Sequence, residues 1–215
     1  MRVLAVPVKS LERAKSRLAP MLSPAERAAL TLAMLGDVLD AATAQDGWET
    51  WAVSGDEAVL EFAARSGAKP FPERAPTLLA ALREVEAHVT GASSELAVLL
   101  ADVPLVGARA LAGALATDAA VVAAPAASDG GTNLLVRWPP AVIPARFGPN
   151  SFARHRWAAR RARVTFQEVR DPGLAFDVDR PEDVAAVLAS PVRGRTWSVC
   201  QDLGLADRLQ QAKRA

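Results

Sequence analysis

Leu96-Ala97-Val98-Leu99-Leu100 is apolar at every position and breaks off at Ala101-Asp102-Val103-Pro104. A run this short with no polar residue at alternate positions reads as a strand buried on both faces, of the kind found at the centre of a helix-covered sheet. It leaves an acid, Asp102, at the strand's C-terminal end. The same alternation extends outward in both directions. Val3 to Val8 reads as a buried first strand, Thr50 to Ser54 as a second, and Ala120 to Ala124, Leu134 to Trp138 and Val164 to Val169 as later ones. Helical patterns lie between them. Ser23-Pro24-Ala25-Glu26 has the form of a capping box with proline at the first helical position. Leu30, Met34, Val38 and Ala42, with Leu35 and Leu39, follow it at helical spacing. Further helices are expected over Asp56 to Ser66, Thr77 to Val89 (Leu78, Leu79, Leu82 and Val85 inward), Phe152 to Arg161, Pro181 to about Leu188 and Leu203 to Gln211. Gly67 and Gly91 are natural C-terminal stops. Strands alternating with helices throughout predict an α/β fold, a sheet covered on both faces.

The chain has 215 residues, 51% of them hydrophobic, which suits one domain over residues 1–215 with a single sizeable core. Residues 191–215 read as a C-terminal tail with one helix. The net charge of +1 gives no reason to expect nucleic acid or an anionic membrane as partner, so any anion recognition must be local. A lone cysteine, Cys200, excludes an intramolecular disulfide and argues against a cysteine metal site; two dispersed histidines, His88 and His155, argue against zinc. The apolar run at the N-terminus is too short for a signal peptide, and nowhere do ~18 uncharged apolar residues run together. A cytoplasmic protein is expected.

In open α/β sheets ligands bind beyond the carboxyl ends of the strands. Asp102 lies in such a place, and Asp177 and Asp179 are its candidate companions: residues two apart in an extended segment point the same way, with Val178 turned to the core. Three carboxylates suit Mg²⁺, which takes oxygen ligands and commonly one or two carboxylates plus substrate phosphates. Asp179-Arg180-Pro181-Glu182 equally fits a helix N-cap with a capping-box glutamate, and Asp102-Val103-Pro104 a plain turn. Lys9, Lys15 and Arg17 follow the first strand, where cations could neutralise a triphosphate or simply be solvated. Two loops complete the set, Ser128-Asp129-Gly130-Gly131-Thr132-Asn133 and Phe147-Gly148-Pro149-Asn150-Ser151. Their glycines permit close approach, and the Thr132 and Ser151 hydroxyls can donate to a phosphate or carboxylate. A helix starting near Asn150 or Ser151 would aim free amides at an anion, with His155 one turn on. Arg154, Arg156, Arg160, Arg161 and Arg163 read as a solvated helix face, and Trp48, Trp51 and Trp138 as core or interface residues.

Taken in order, Val6-Pro7-Val8-Lys9, Ala14-Lys15-Ser16-Arg17-Leu18, Ala101-Asp102-Val103-Pro104-Leu105, Gly130-Gly131-Thr132-Asn133, Phe147-Gly148-Pro149-Asn150-Ser151-Phe152 with His155, and Phe176-Asp177-Val178-Asp179 resemble the CofC/FbiD guanylyltransferases of coenzyme F420 biosynthesis over about residues 1 to 190. The resemblance implies a nucleotide-diphospho-sugar transferase fold, a single three-layer α/β/α Rossmann-like domain with a mixed sheet. It implies GTP as co-substrate with Mg²⁺, and a phosphorylated three-carbon acid as acceptor: phosphoenolpyruvate, which we favour, 2-phospho-L-lactate or a phosphoglycerate. By resemblance Asp102, Asp177 and Asp179 match the metal-holding acids, and Thr132, Gly148 and Ser151 the acceptor-binding positions. Lys9, Lys15 and Arg17 match the N-terminal motif; their charge and position suggest the GTP phosphates, with Lys15 catalytic as well. The implied chemistry is in-line attack of the acceptor phosphate on the α-phosphorus of GTP. Rival readings are a sugar-phosphate or pterin nucleotidyltransferase, which commonly opens with Gly-x-Gly where this chain has Pro7-Val8-Lys9, and a noncatalytic GTP-binding regulator. A dinucleotide oxidoreductase would need a G-x-G-x-x-G after the first strand. A homodimer is compatible with the sequence, and the segment after 190 could be a dimer arm or a packed cap.

Overall fold

The structure, a computed structural model, describes residues 1–74, 77–89, 91 and 93–212; the last three residues of the C-terminal segment lie outside them. Seven strands form one sheet: β1 (Arg2–Pro7), β2 (Glu49–Ser54), β3 (Lys69–Pro72), β4 (Glu95–Leu99), β5 (Val121–Pro125), β6 (Thr132–Arg137) and β7 (Phe166–Glu168), in the order β3-β2-β1-β4-β6-β5-β7. β6 runs antiparallel to β4 and β5, and every other pairing is parallel. Between the strands run α1 (Pro24–Thr43), α2 (Glu57–Arg65), α3 (Leu78–His88), α4 (Ala108–Leu115) and α5 (Ser151–Ala162), and α6 (Pro172–Ala175) follows β7. After them come α7 (Pro181–Ala189), α8 (Arg195–Asp202) and α9 (Leu205–Ala212).

The period of two along each strand divides the core. Leu4, Val6, Ala97, Leu99, Leu134 and Val136 face Leu35, Val38 and Leu39 of α1, Val59 of α2 and Leu111 of α4. On the opposite face Val3, Ala5 and Val98 meet Ala81, Leu82 and Val85 of α3, while Val121, Ala123 and Leu135 lie under Ala159 of α5. Three layers result, and the buried runs read in the sequence are the central strands. The Ser23 capping box forms as expected: Ser23 Oγ accepts from Glu26 N and Glu26 Oε2 accepts from Ser23 N.

Four elements were not foreseen. Lys69-Pro70-Phe71-Pro72 carries two prolines, which argue against a strand, yet β3 is an edge strand. Glu73 N donates to Ser54 O, so by alternation Pro70 and Pro72 point their missing donors to the open edge. The helices α4, α6 and α8 were also missed. α8 belongs to the tail, and the tail packs: Asp37 of α1 accepts from the Arg195 and Thr196 amides at 2.7 and 2.8 Å, taking up two of the unpaired donors of a helix N-terminus. Leu18, Leu30, Met34, Val184, Val187, Cys200 and Leu205 close a small core beneath it. Burial raises the Cys200 thiol to about 11, as befits a packing residue. Of the tryptophans expected in the core or at an interface, Trp51 is buried, and Trp138, 48% exposed, lies just beyond the end of β6. No helix among the described residues is long and apolar enough to cross a membrane.

Candidate active site

β1 and β4 are neighbours, so the loops leaving their C-terminal ends meet. β4 delivers Asp102, whose carbonyl accepts from Val178 N at 2.9 Å and so docks the 177–179 segment beside it. Val178 is fully buried, and its two flanking aspartates project the other way, as the alternation predicted. From the β1 side comes Lys15, in the left-handed backbone region (φ 50°, ψ 43°) between turns at Leu11–Arg13 and Ser16–Leu18. Its Nζ donates to Asp102 Oδ2 at 2.7 Å and to Asp179 Oδ1 at 2.8 Å, and Arg17 reaches Asp179 Oδ2 at 3.1 Å. Of the sequence-predicted acids and cations, Asp102, Asp179, Lys15 and Arg17 are therefore joined by direct contacts, while Asp177 and Lys9 act on the cluster through their charge alone.

The electrostatics follow from this pairing. Burial alone would raise the Asp179 carboxyl, but Lys15, Arg17 and Lys9 outweigh it and hold it below its ordinary value. Lys15 is nearly buried, which works against its charge; Asp102 and Asp179 reverse the balance and raise it. Asp177 moves the opposite way to Asp179. Burial raises it, the charges of Asp102 and Asp179 add to that, and hydrogen bonds from Ser128 and Asn133 oppose it without cancelling it. Ser128 Oγ lies 3.0 Å from both Asp177 oxygens.

The capping alternative for Asp179 is corrected. Arg180 stands at the N-cap of α7, and the carboxylate that reaches back is that of Asp183, whose Oδ2 accepts from Arg180 N at 2.7 Å and Asp179 N at 2.9 Å. Glu182 plays no part in the cap. With Asp183 serving the helix, the Asp179 side chain is left to Lys15 and Arg17.

The donor set is oxygen only, which suits a hard cation. Asp102 Oδ1 is buried without a hydrogen-bond partner among the described residues, a carboxylate oxygen with spare capacity. Among the described residues, however, no group of three acids converges as a metal cage. Lys15 stands between Asp102 and Asp179, and Ser128 engages Asp177.

The loop after β5 joins this cluster to the start of α5. Ala127 N donates to Ala175 O, Asn150 N to Asp129 O and Phe152 N to Gly130 O. Gly130 and Gly148 take φ of +68° and +112°, the left-handed conformations for which glycine suits these turns. Thr132 Oγ1 lies 2.9 Å from Ser151 Oγ and 3.0 Å from His155 Nδ1. His155 Nε2 accepts from Arg146 N at 2.9 Å, so the neutral ring carries its proton on Nδ1 and donates to Thr132. Thr132, Ser151 and His155 are at most 2% exposed, so these hydroxyls face one another rather than solvent, while Gly148 is exposed. The free amides expected at this helix start are not free: those of Asn150, Ser151 and Phe152 donate to the carbonyls of Asp129, Gly148 and Gly130. The arginines expected on a solvated face of α5 are all exposed.

Burial first, then the charges of Arg137, Arg154 and Arg146, push His155 down to about 4 from 6.5. Between those values the unfolded chain binds a proton that the folded chain refuses. The stability contribution is therefore complete above pH 6.5 and is lost as pH falls toward 4, a difference of up to about 3 kcal/mol. Urea unfolding at pH 7 and at pH 4 should show His155→Asn losing less stability than the parent chain by up to that amount; equal losses would contradict the assignment.

Ser128, Asn133 and Asp183 are the functional contributors that sequence reasoning missed. Ser128 and Asn133 sit in a loop already singled out, but nothing local signals that they serve an acid more than 40 positions away.

A family model described as guanylyl transferase CofC like matches residues 1–212. Among relatives, phosphoenolpyruvate guanylyltransferase of Rubrobacter xylanophilus is 41% identical over 86% of this chain and 92% of its own. The 3-phospho-D-glycerate guanylyltransferase of Phenylobacterium zucineum is 38% identical (88% and 91% covered), and the 2-phospho-L-lactate guanylyltransferase of Methanothermobacter thermautotrophicus 35% (85% and 82%). A crystal structure from Desulfovibrio desulfuricans, assigned as a nucleotide-diphospho-sugar transferase, superposes with a TM-score of 0.78 over 98% of this chain and 97% of that one. At 19% identity that likeness speaks for the fold, the Rossmann-like mixed sheet of the nucleotide-diphospho-sugar transferases. Matched from its first strand through its last helix, this chain belongs to the CofC-like guanylyl transferase family.

Proposed function

We propose that this protein transfers GMP from GTP to a phosphorylated three-carbon acid and releases pyrophosphate, as a step of coenzyme F420 assembly. The observation that carries the reading is the meeting of Lys15 and Arg17 with Asp102 and Asp179 at the ends of β1 and β4, in a chain whose relatives are named for this transfer. Those names differ in the acid, and we favour phosphoenolpyruvate, which the 41% relative is named for.

The chemistry needs little from the side chains as acids or bases. A phosphate monoester dianion is a competent nucleophile at neutral pH. One of its oxygens forms a bond to the α-phosphorus of GTP as the bond from that phosphorus to the bridging oxygen breaks, and pyrophosphate leaves with the electron pair. The protein's part is alignment and charge neutralisation. Lys15, Arg17 and Lys9 supply positive charge for the triphosphate. Asp102 and Asp177 would hold Mg²⁺, with Asp179 able to join them; when bound, the ion would withdraw charge from the phosphates and the leaving group. The tie of Thr132, Ser151 and His155 fixes the turn bearing exposed Gly148, and we place the acceptor there. Substrates of this kind fit a cytoplasmic enzyme that needs neither nucleic acid nor membrane.

Phosphorus NMR of the protein with GTP, Mg²⁺ and phosphoenolpyruvate tests the reading. A new pair of coupled phosphoanhydride resonances should appear together with pyrophosphate. Conversion of GTP to GDP or GMP, with the acid untouched, would refute it.

A further inference from the structure

Lys15 does more in this structure than wait for a phosphate. Its side chain is 9% exposed and its ammonium holds one oxygen of Asp102 and one of Asp179. Arg17 takes the second Asp179 oxygen, while the second Asp102 oxygen is buried with no partner among the described residues. Asp177 is kept apart by Ser128. Locally Asp102, Asp177 and Asp179 are balanced by Lys15, Arg17 and the nearby Lys9. A bare divalent cation entering here gains little net attraction and must displace a cation already in place. Driving the Lys15 ammonium off both acids with no new anion to receive it would strand a buried charge, a costly arrangement. A nucleotide triphosphate changes that balance by offering Lys15 other anionic oxygens. Lysine suits such an exchange, being a point charge on a flexible stem rather than a planar fork fixed to one carboxylate.

We propose that Lys15 is an exchangeable stand-in for the divalent cation: it satisfies Asp102 and Asp179 in the ligand-free protein and moves to the nucleotide phosphates on binding, which opens the carboxylates to metal. The proposal rests on the guanylyltransferase reading and deepens it, because metal loading becomes coupled to the nucleotide. The free enzyme would then hold metal weakly.

The test uses the full chain and Mn²⁺ alone, with free Mn²⁺ counted by electron paramagnetic resonance in the absence of nucleotide. Lys15→Met should bind Mn²⁺ about tenfold or more tighter than the parent chain, as expected when the metal-competent state is normally a minor population. Lys15→Met combined with Asp102→Asn should lose that gain. Equal affinity of Lys15→Met and the parent would overturn the proposal, as would a gain that survives Asp102→Asn. If Lys15→Met fails to melt cooperatively, Lys15→Gln is measured instead. In the parent chain the Lys15 ammonium resonance should also shift on addition of a nonhydrolysable α,β-methylene GTP analogue without metal, and an unmoved resonance counts against the exchange. Failure of the underlying reading looks different: with that analogue present, the parent chain would then show no bound Mn²⁺ beyond what the nucleotide alone holds.

Discussion

If Asp102 holds the proposed metal, asparagine in its place should lower turnover by about two to four orders of magnitude, since a catalytic metal supplies several kcal/mol of transition-state stabilisation and each 1.36 kcal/mol is a factor of ten. The fold should survive the change. Lys15 still donates to the amide oxygen and keeps Asp179 as its second partner, and the amide nitrogen takes the place of the Asp102 oxygen that is buried without a partner among the described residues, at a cost of about 1–3 kcal/mol. The Asp102 carbonyl that docks Val178 belongs to the backbone and is untouched. Pyrophosphate release and a thermal melt, measured together, separate the two effects. Near-normal turnover in this variant would refute the proposed role of Asp102 in holding a metal.

Gly173→Ala should damage both stability and turnover from outside the cluster. A Cβ at position 173 would sit 2.3 Å from Leu105 O and 2.9 Å from Leu105 C. Both are backbone atoms, so no rotamer change relieves the clash, and α6 or the loop after β4 must move. Overpacking of this kind costs about 1–3 kcal/mol, and the upper end is expected here. The displacement would be felt at Asp177. Leu174 O accepts from Asn133 and Ala175 O from Ala127 N, so α6 anchors the loop that sets Ser128 on the carboxylate. Turnover should fall by about tenfold or more, in line with the cost of misplacing catalytic groups. Urea unfolding and steady-state pyrophosphate release check the two halves; an unchanged midpoint would show that the segment yields freely.

These residues also show which parts of the molecule the sequence made legible. Leu96 to Leu100 and Val3 to Val8 were readable as central strands because burial on both faces leaves no polar residue to confuse the pattern. Asp102, Asp177 and Asp179 were readable because a strand end and a period of two are local properties. The Lys15 bridge was not readable: its partners lie 87 and 164 positions away, and their meeting depends on the sheet order β1-β4 and on the backbone bond from Val178 to Asp102. β3 was hidden by prolines that only an edge strand tolerates, and α8 by a tail whose apolar residues have no pattern until α1 and α7 are beside them. Thr132 and Ser151 had the right chemistry for binding an anion. Burial beside His155 turned their hydroxyls inward, and sequence carries no sign of that. Asp183, the third residue of α7, takes the cap because its Oδ2 accepts from the Asp179 and Arg180 amides at once.

Release of pyrophosphate from GTP and Mg²⁺ in the presence, separately, of phosphoenolpyruvate, 2-phospho-L-lactate and 2- or 3-phosphoglycerate, with ATP and CTP as nucleotide controls, tests the central claim most directly. The account predicts release that requires both GTP and one of these acids, phosphoenolpyruvate foremost. Silence with every acid from folded protein that binds GTP, or equal release from all three nucleotides, would contradict it.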